Sequence, residues 1–245
     1  MAERAALITG GSSGIGLAIA RMLGEEGYGI TLSARRPEKL DAAAEGLREA
    51  GIEVEAVTGN VVEEDDIVGL VASHRVRFGR LDVLVNNAGV GIGQPLDAIQ
   101  TKHLDLQLAV NLRSYVIATR EALPLLRQAG GEHGKALIVN TASVAGKAGQ
   151  PWISVYSATK FAVVGFSQAT QREAGDAGVQ VTALCPGFVD TPMSEWVHEQ
   201  IKPEEMIAPE DIAEAVRMLL RTSPNCRIPE IVFLRAGEAL GAGPG

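Results

Sequence analysis

Short runs of consecutive apolar residues alternate along the chain with longer stretches whose apolar positions recur every three or four residues. The short runs predict strands at Ala5–Ile8, Gly29–Ser33, Glu53–Val57, Val83–Asn86, Ala136–Asn140, Gln180–Cys185 and Ile231–Leu234. Most are uninterrupted, the pattern of a strand covered on both faces. The longer stretches predict helices beginning near Gly14, Glu38, Glu64, Thr101, Val155 and Glu210. Asn60 reads as a cap for the third of these, and Pro209 as a first-turn proline for the last. The longest helix is expected over Thr101–Gln128, where Leu104, Leu108, Leu112 and Tyr115 form a stripe with Asn111 beside it. Pro124 predicts a kink or stop near its end. Strand–helix alternation predicts right-handed crossovers and a doubly wound α/β fold with a mostly parallel, seven-stranded sheet. No repeat, linker or composition break divides the chain. A single domain is expected over residues 1–240, with Gly241–Gly245 as a flexible tail.

Composition narrows the function. With 245 residues, 46% of them hydrophobic, the chain can bury a full core. A net charge of -8 argues against a nucleic-acid or anionic-membrane partner, each of which needs a basic face. Cys185 and Cys226 form neither a disulfide framework nor zinc-ligand spacing. His74, His103, His133 and His198 fall in no metal-ligand pattern, so no metal is invoked and surface or interface positions are expected for them. No apolar run approaches the ~18 residues of a membrane span. Met1–Ile8 lacks a signal-peptide pattern, and a cytoplasmic location is the expectation.

The first strand runs into Thr9-Gly10-Gly11-Ser12-Ser13-Gly14-Ile15-Gly16 and then a helix. Gly10 suits a tight turn, Gly14 lets a pyrophosphate approach the backbone, and Gly16 allows close helix packing. The helix N-terminus offers free N–H groups to phosphate oxygens. An ordinary strand-to-helix turn would explain the glycines alone. Their place after the first strand of a βαβ unit favours a dinucleotide and a Rossmann-type domain.

The spacing Thr-Gly-x-x-x-Gly-x-Gly resembles the short-chain dehydrogenase/reductase family. Further segments match in order: Asn86-Asn87-Ala88-Gly89 after the fourth strand, Ser143 after the fifth, Tyr156-x-x-x-Lys160, and Pro186-Gly187-x-x-x-Thr191 after the sixth. The resemblance covers nearly the whole chain. It implies reversible hydride transfer between a nicotinamide cofactor and a carbonyl/alcohol pair. In that scheme Tyr156 exchanges the proton, Ser143 polarises the substrate oxygen, and Lys160 lowers the Tyr156 pKa and binds ribose hydroxyls. Four residues apart on a helix, Tyr156 and Lys160 share a face, and a nearby cation stabilises a phenolate. Asn111 matches the helical Asn that holds a proton-relaying water in the family. A buried Asn satisfied by backbone is the alternative reading. Gly10, Ser12, Ser13, Ile15, Asn87, Ala88 and Gly89 would line the cofactor groove, and the Val189 backbone and Thr191 would hold the carboxamide. Asn60-Val61 stands where many relatives carry Asp-Val near the adenine.

Past the second strand the chain reads Ser33-Ala34-Arg35-Arg36. Ala34 occupies the place of the acidic residue that accepts from an NAD ribose. Arg35 and Arg36 can instead pair with a 2′-phosphate, which selects NADP(H) over NAD(H). A mobile substrate lid is expected near residues 192–209, with Met193, Trp196, Val197, Ile201 and Met206 as its apolar residues. A permanently docked amphipathic helix is the alternative. Trp152 is a candidate pocket wall, and an apolar or aromatic ketone a candidate substrate. Relatives imply a homodimer or homotetramer through the Thr101–Gln128 and Val155–Gly175 helices. Two alternatives stand beside the small-molecule reductase. One is a 3-oxoacyl-carrier-protein reductase. The other is a non-catalytic cofactor-binding scaffold or sensor, against which the presence of Ser143, Tyr156 and Lys160 together argues.

Overall fold

A computed structural model describes residues 2–240. The expected tail at 241–245 lies outside them. Seven strands form one sheet in the order β3-β2-β1-β4-β5-β6-β7. They are β1 (Arg4–Thr9), β2 (Tyr28–Ala34), β3 (Val54–Thr58), β4 (Val83–Asn86), β5 (Ala136–Thr141), β6 (Val179–Pro186) and β7 (Glu230–Phe233). Every pairing is parallel, so the expected mostly parallel sheet is parallel throughout.

Side-chain alternation along each strand divides the core into two layers. Ala6, Ile8, Val83, Val85, Leu137 and Val139 point to one face, under α1 (Gly14–Glu25), α2 (Pro37–Glu49) and α7 (Pro209–Arg221). Leu7, Leu84 and Ile138 point to the other, under α3 (Glu64–Phe78) and α5 (Ser114–His133). These strand residues are almost wholly buried, which is why the runs carry no polar alternation. The strand order reverses between β1 and β4. That opens a crevice at the carboxyl ends of the central strands, the usual place for a ligand in this architecture.

Pro209 occupies the first turn of α7 as expected. Asn60 does not cap α3. Glu63 holds that position, and the Asn60 Oδ1 accepts from Val62 N–H at 3.3 Å while its own N–H donates to Asp66. The long helix is interrupted differently from the expectation. α4 (Thr101–Leu108) passes into a π-helical turn at Ala109–Arg113, and α5 then continues through Pro124 to His133. Leu108 is exposed, and the inward face is made by Gln107, Val110, Asn111, Ser114 and Tyr115. His74 is also a correction. It lies wholly buried on α3, its ring nitrogens 2.7 Å from Thr31 Oγ1 and 2.8 Å from the Arg80 carbonyl oxygen.

Candidate active site

The sequence-derived residues gather at the carboxyl edge of the sheet. The loop Gly10–Ser13 leaves β1, Arg35 and Arg36 follow β2, and Asn60 and Val61 follow β3. Asn87–Gly89 follow β4, Ser143 follows β5, and Gly187–Thr191 follow β6, which ends at Pro186. Tyr156 and Lys160 sit on α6 (Ser154–Ala174).

Gly10 and Gly14 have left-handed backbone, with φ of +66° and +54°. A Cβ on Gly10 would meet Ala88 Cα at 2.9 Å, and one on Gly14 would meet Thr191 Cγ2 at 2.9 Å. Gly16 lies against the Gly10 carbonyl, so its bareness serves the loop rather than the sheet. Ser13 is the first residue before α1, yet its side chain makes no cap hydrogen bond. The N–H groups at this helix end remain available to an anion.

Asn87 ties the loop to the sheet. Its Nδ2 donates to the Gly10 carbonyl at 3.1 Å, and its Oδ1 accepts from Thr141 Oγ1 at 3.2 Å. Thr9 Oγ1 accepts from the N–H groups of Asn87 and Ala88 at 3.0 and 3.2 Å. Ser143 precedes a 3-10 turn at Val144–Gly146, and its Oγ accepts from Ala145 N–H at 3.1 Å, which fixes the hydroxyl. Lys160 is almost fully buried, and its Nζ donates to the Thr141 carbonyl at 2.7 Å. Tyr115 OH donates to the same carbonyl at 3.2 Å.

The Lys160 Nζ is 5.5 Å from the centre of the Tyr156 ring. Burial pushes the ammonium down to about 8. The Tyr156 side chain is partly exposed. Burial raises the phenol above its ordinary value, while a hydrogen bond with Ser143 pulls it the other way. The Coulomb argument expects a lowered phenol. Desolvation outweighs it here, and the ammonium is turned to a carbonyl.

The Asn111 side chain is fully engaged. Its Oδ1 accepts from Val90 N–H at 2.8 Å, and its Nδ2 donates to the Val90 carbonyl at 2.9 Å and to Thr159 Oγ1 at 3.1 Å. It anchors the loop after β4 from within the π-helical turn, an irregularity frequent at functional sites. One turn earlier, Gln107 Oε1 accepts from Ile92 N–H at 3.2 Å. Sequence reasoning missed Gln107, Thr9 and Thr159. A buried Gln four residues before Asn111 was the available signal. Arg35 and Arg36 are exposed and form no ion pair or side-chain hydrogen bond among the described residues. The segment between Asp190 and Ile207 is held at its base by pairing of Val189 with Ile207. It contains two 3-10 turns, Glu195–Val197 and Pro203–Glu205, where a helix was the alternative expectation.

The short chain dehydrogenase family matches residues 4–202. The chain belongs to that family. A Streptomyces coelicolor protein, provisionally named a ketoacyl reductase, is 44% identical over 197 residues, covering 79% of this chain and 74% of the relative. An actinorhodin polyketide ketoreductase variant crystallised with NADPH is 34% identical with a TM-score of 0.88, covering 98% of this chain and 99% of that one. An alcohol dehydrogenase of the archaeon Thermococcus sibiricus, complexed with 5-hydroxy-NADP, is 32% identical with a TM-score of 0.86 over 99% of both chains. This short-chain dehydrogenase is therefore an oxidoreductase. No helix among its described residues is long and apolar enough to cross a membrane.

Proposed function

We propose that the chain is an NADPH-dependent carbonyl reductase in which Tyr156 supplies the proton. The observation that carries this reading is the meeting of Ser143, Tyr156 and Lys160 beside a glycine loop whose helix end is left uncapped. The residues present fit a nicotinamide dinucleotide. Gly10 and Gly14 take left-handed backbone packed too closely on Ala88 and Thr191 for any side chain, which keeps the loop backbone bare, the Ser12 and Ser13 hydroxyls and α1 N–H groups suit phosphate oxygens, and Ile15, Ala88 and Gly89 supply the groove wall. Val61 lies beside Asn60 on the adenine side, and Gly187, Val189 and Thr191 on the nicotinamide side. When bound, the nicotinamide donates or accepts the hydride.

The chain's own residues handle the oxygen. Ser143 Oγ, fixed by Ala145, donates to the carbonyl oxygen and stabilises its developing charge. The raised Tyr156 phenol stays protonated at neutral pH, which is the form reduction needs. Lys160, held by Thr141, steadies the phenolate left behind and can return a proton because its own value is near 8. The Asn111 side chain holds Val90, so a proton relay at this residue runs by its backbone. The reading extends to a single catalytic domain with a lid near 192–209, small-molecule carbonyl or alcohol substrates, a homo-oligomer and a cytoplasmic location.

NADP(H) preference rests on Arg35 and Arg36 in place of an acidic residue. A charged hydrogen bond worth about 1.5–3 kcal/mol gives roughly ten- to 150-fold preference in kcat/KM. Arg35→Ala is expected to lose most of that preference while changing the NADH reaction little. Similar kcat/KM values with NADPH and NADH in the unaltered protein would overturn the assignment. A second reading, reduction of 3-oxoacyl thioesters on a carrier protein, is favoured by the ketoacyl reductase name of the Streptomyces relative. A panel of ketones, diketones, quinones, steroids and 3-oxoacyl thioesters, followed by loss of NADPH absorbance, separates the two. No turnover of any member would point to a binding or scaffold protein.

A further inference from the structure

The chain holds two tryptophans, and they pack against each other, Trp152 against the loop whose Gly91 borders the Tyr156 ring. Trp152 lies four residues before Tyr156, at the entry to α6, and Trp196 lies on the segment between Asp190 and Ile207. Their ring centroids are 5.6 Å apart at 54°, and Phe188 meets Trp196 edge-on at 6.2 Å. Both indoles are about half exposed, at 52% and 55%. Trp152 is the one non-glycine among the described residues with left-handed backbone, at φ +68°. For a bulky residue that conformation is a true outlier and is strained. Gly93 makes room for it, because a Cβ there would strike the indole. The Gln94 N–H donates to the Trp152 carbonyl at 2.7 Å, which holds the strained residue against the same loop. Two residues earlier, a Cβ on Gly91 would touch the Tyr156 ring at 3.8 Å. A continuous wall therefore runs from Tyr156 along Gly91 and Gly93 to the two indoles.

A strained backbone, a glycine cleared for one ring and two half-bare indoles are a poor arrangement for stability alone. We propose that Trp152 and Trp196 form an aromatic clamp that stacks a planar, unsaturated ring system of the substrate while its ketone lies at Tyr156. The two indoles touch each other, so the substrate ring would lie on their exposed faces; aromatic faces reward flat partners in offset or tilted geometry, and a puckered saturated ring cannot lie as closely against them. The proposal rests on the carbonyl reductase reading and narrows its substrate class to ketones joined to a planar ring. Ring recognition is separable from turnover.

The test uses 2-acetylnaphthalene and its fully saturated decalin counterpart. Dissociation constants come from equilibrium dialysis without cofactor, and kcat/KM from NADPH consumption. The planar ketone is expected to bind about tenfold more tightly than the saturated one. Trp152→Gly suits the left-handed backbone and removes the indole. It is expected to shrink the planar-to-saturated ratio of both quantities by about tenfold, and Trp196→Leu to do the same from the lid side. The paired indoles should also give a far-ultraviolet exciton couplet that each variant loses and that the planar ketone perturbs. Equal affinity for the two ketones, or ratios unchanged in both variants, would overturn the clamp. If neither ketone is reduced but the affinity ratio holds and collapses in the variants, the clamp stands and the reductase reading fails.

Discussion

The Lys160 ammonium is enclosed by protein and has one strong partner, the Thr141 carbonyl. A cation in such a place is held at a cost, which appears as its fall from 10.5 to about 8. The sign of the pH effect follows. Below about 8 the lysine is charged in both folded and unfolded chains, so the full penalty of burying it is present. Between about 8 and 10.5 the unfolded chain binds more protons, and the penalty fades as pH rises. Lys160→Met is expected to abolish turnover yet raise thermal stability at neutral pH, with the gain shrinking as pH climbs through that window. Thr141 keeps the Tyr115 hydroxyl as a donor, so its carbonyl is not orphaned. Thermal melts of both proteins from neutral to alkaline pH check this, and a gain that grows with pH would contradict it.

Among the elements, the seven strands were legible because both sheet faces are covered and the strands read as plain apolar runs. The turn after β1 was legible because Gly10, Gly14 and Gly16 each have a local geometric reason. The π-helical turn at Ala109–Arg113 was not, since its cause is tertiary: Asn111 and Gln107 must both reach the loop after β4. The Leu104–Leu108–Leu112 stripe misled for the same reason, because polar side chains take the inward face. Pro124 failed to stop α5 because Ala122, Leu125 and Leu126 pack both of its flanks into the core. Its missing hydrogen bond falls on exposed Arg120. His74 looked like a surface residue because its partners, Thr31 and the Arg80 carbonyl, are distant or unreadable in sequence. Burial lowers it to about 4. The unfolded chain therefore binds a proton first as pH falls from 6.5 to about 4, and stability on the order of 3 kcal/mol is lost across that window. His74→Gln should flatten this stretch of the stability–pH curve in urea titrations. An unchanged slope would remove His74 as its cause.

At the scale of the whole molecule, the outer face of α4 and α5 carries a shallow groove lined by Leu108, Leu112, Val116 and Ile117. Leu108 and Val116 are about two-fifths exposed, and Phe161 on α6 is exposed as well. We propose this face as the contact between copies of the chain, on the helices through which the family resemblance implies assembly. Light scattering should give a multiple of 25.7 kDa. A Leu108→Glu, Val116→Glu double variant should shift the protein to monomer, because a pair of charges cannot be desolvated there without partners. A monomeric unaltered protein would refute the assembly.

The account as a whole turns on one phenol, and Tyr156→Phe isolates it. The phosphate loop, Asn87 and Lys160 remain in place, so NADPH titrated by its own fluorescence should bind within about threefold of the unaltered protein. Turnover of the best ketone of the panel should fall by about 100- to 10,000-fold, the usual worth of general acid catalysis. Normal NADPH binding with turnover abolished is the predicted result. Substantial turnover by the Tyr156→Phe protein would contradict it.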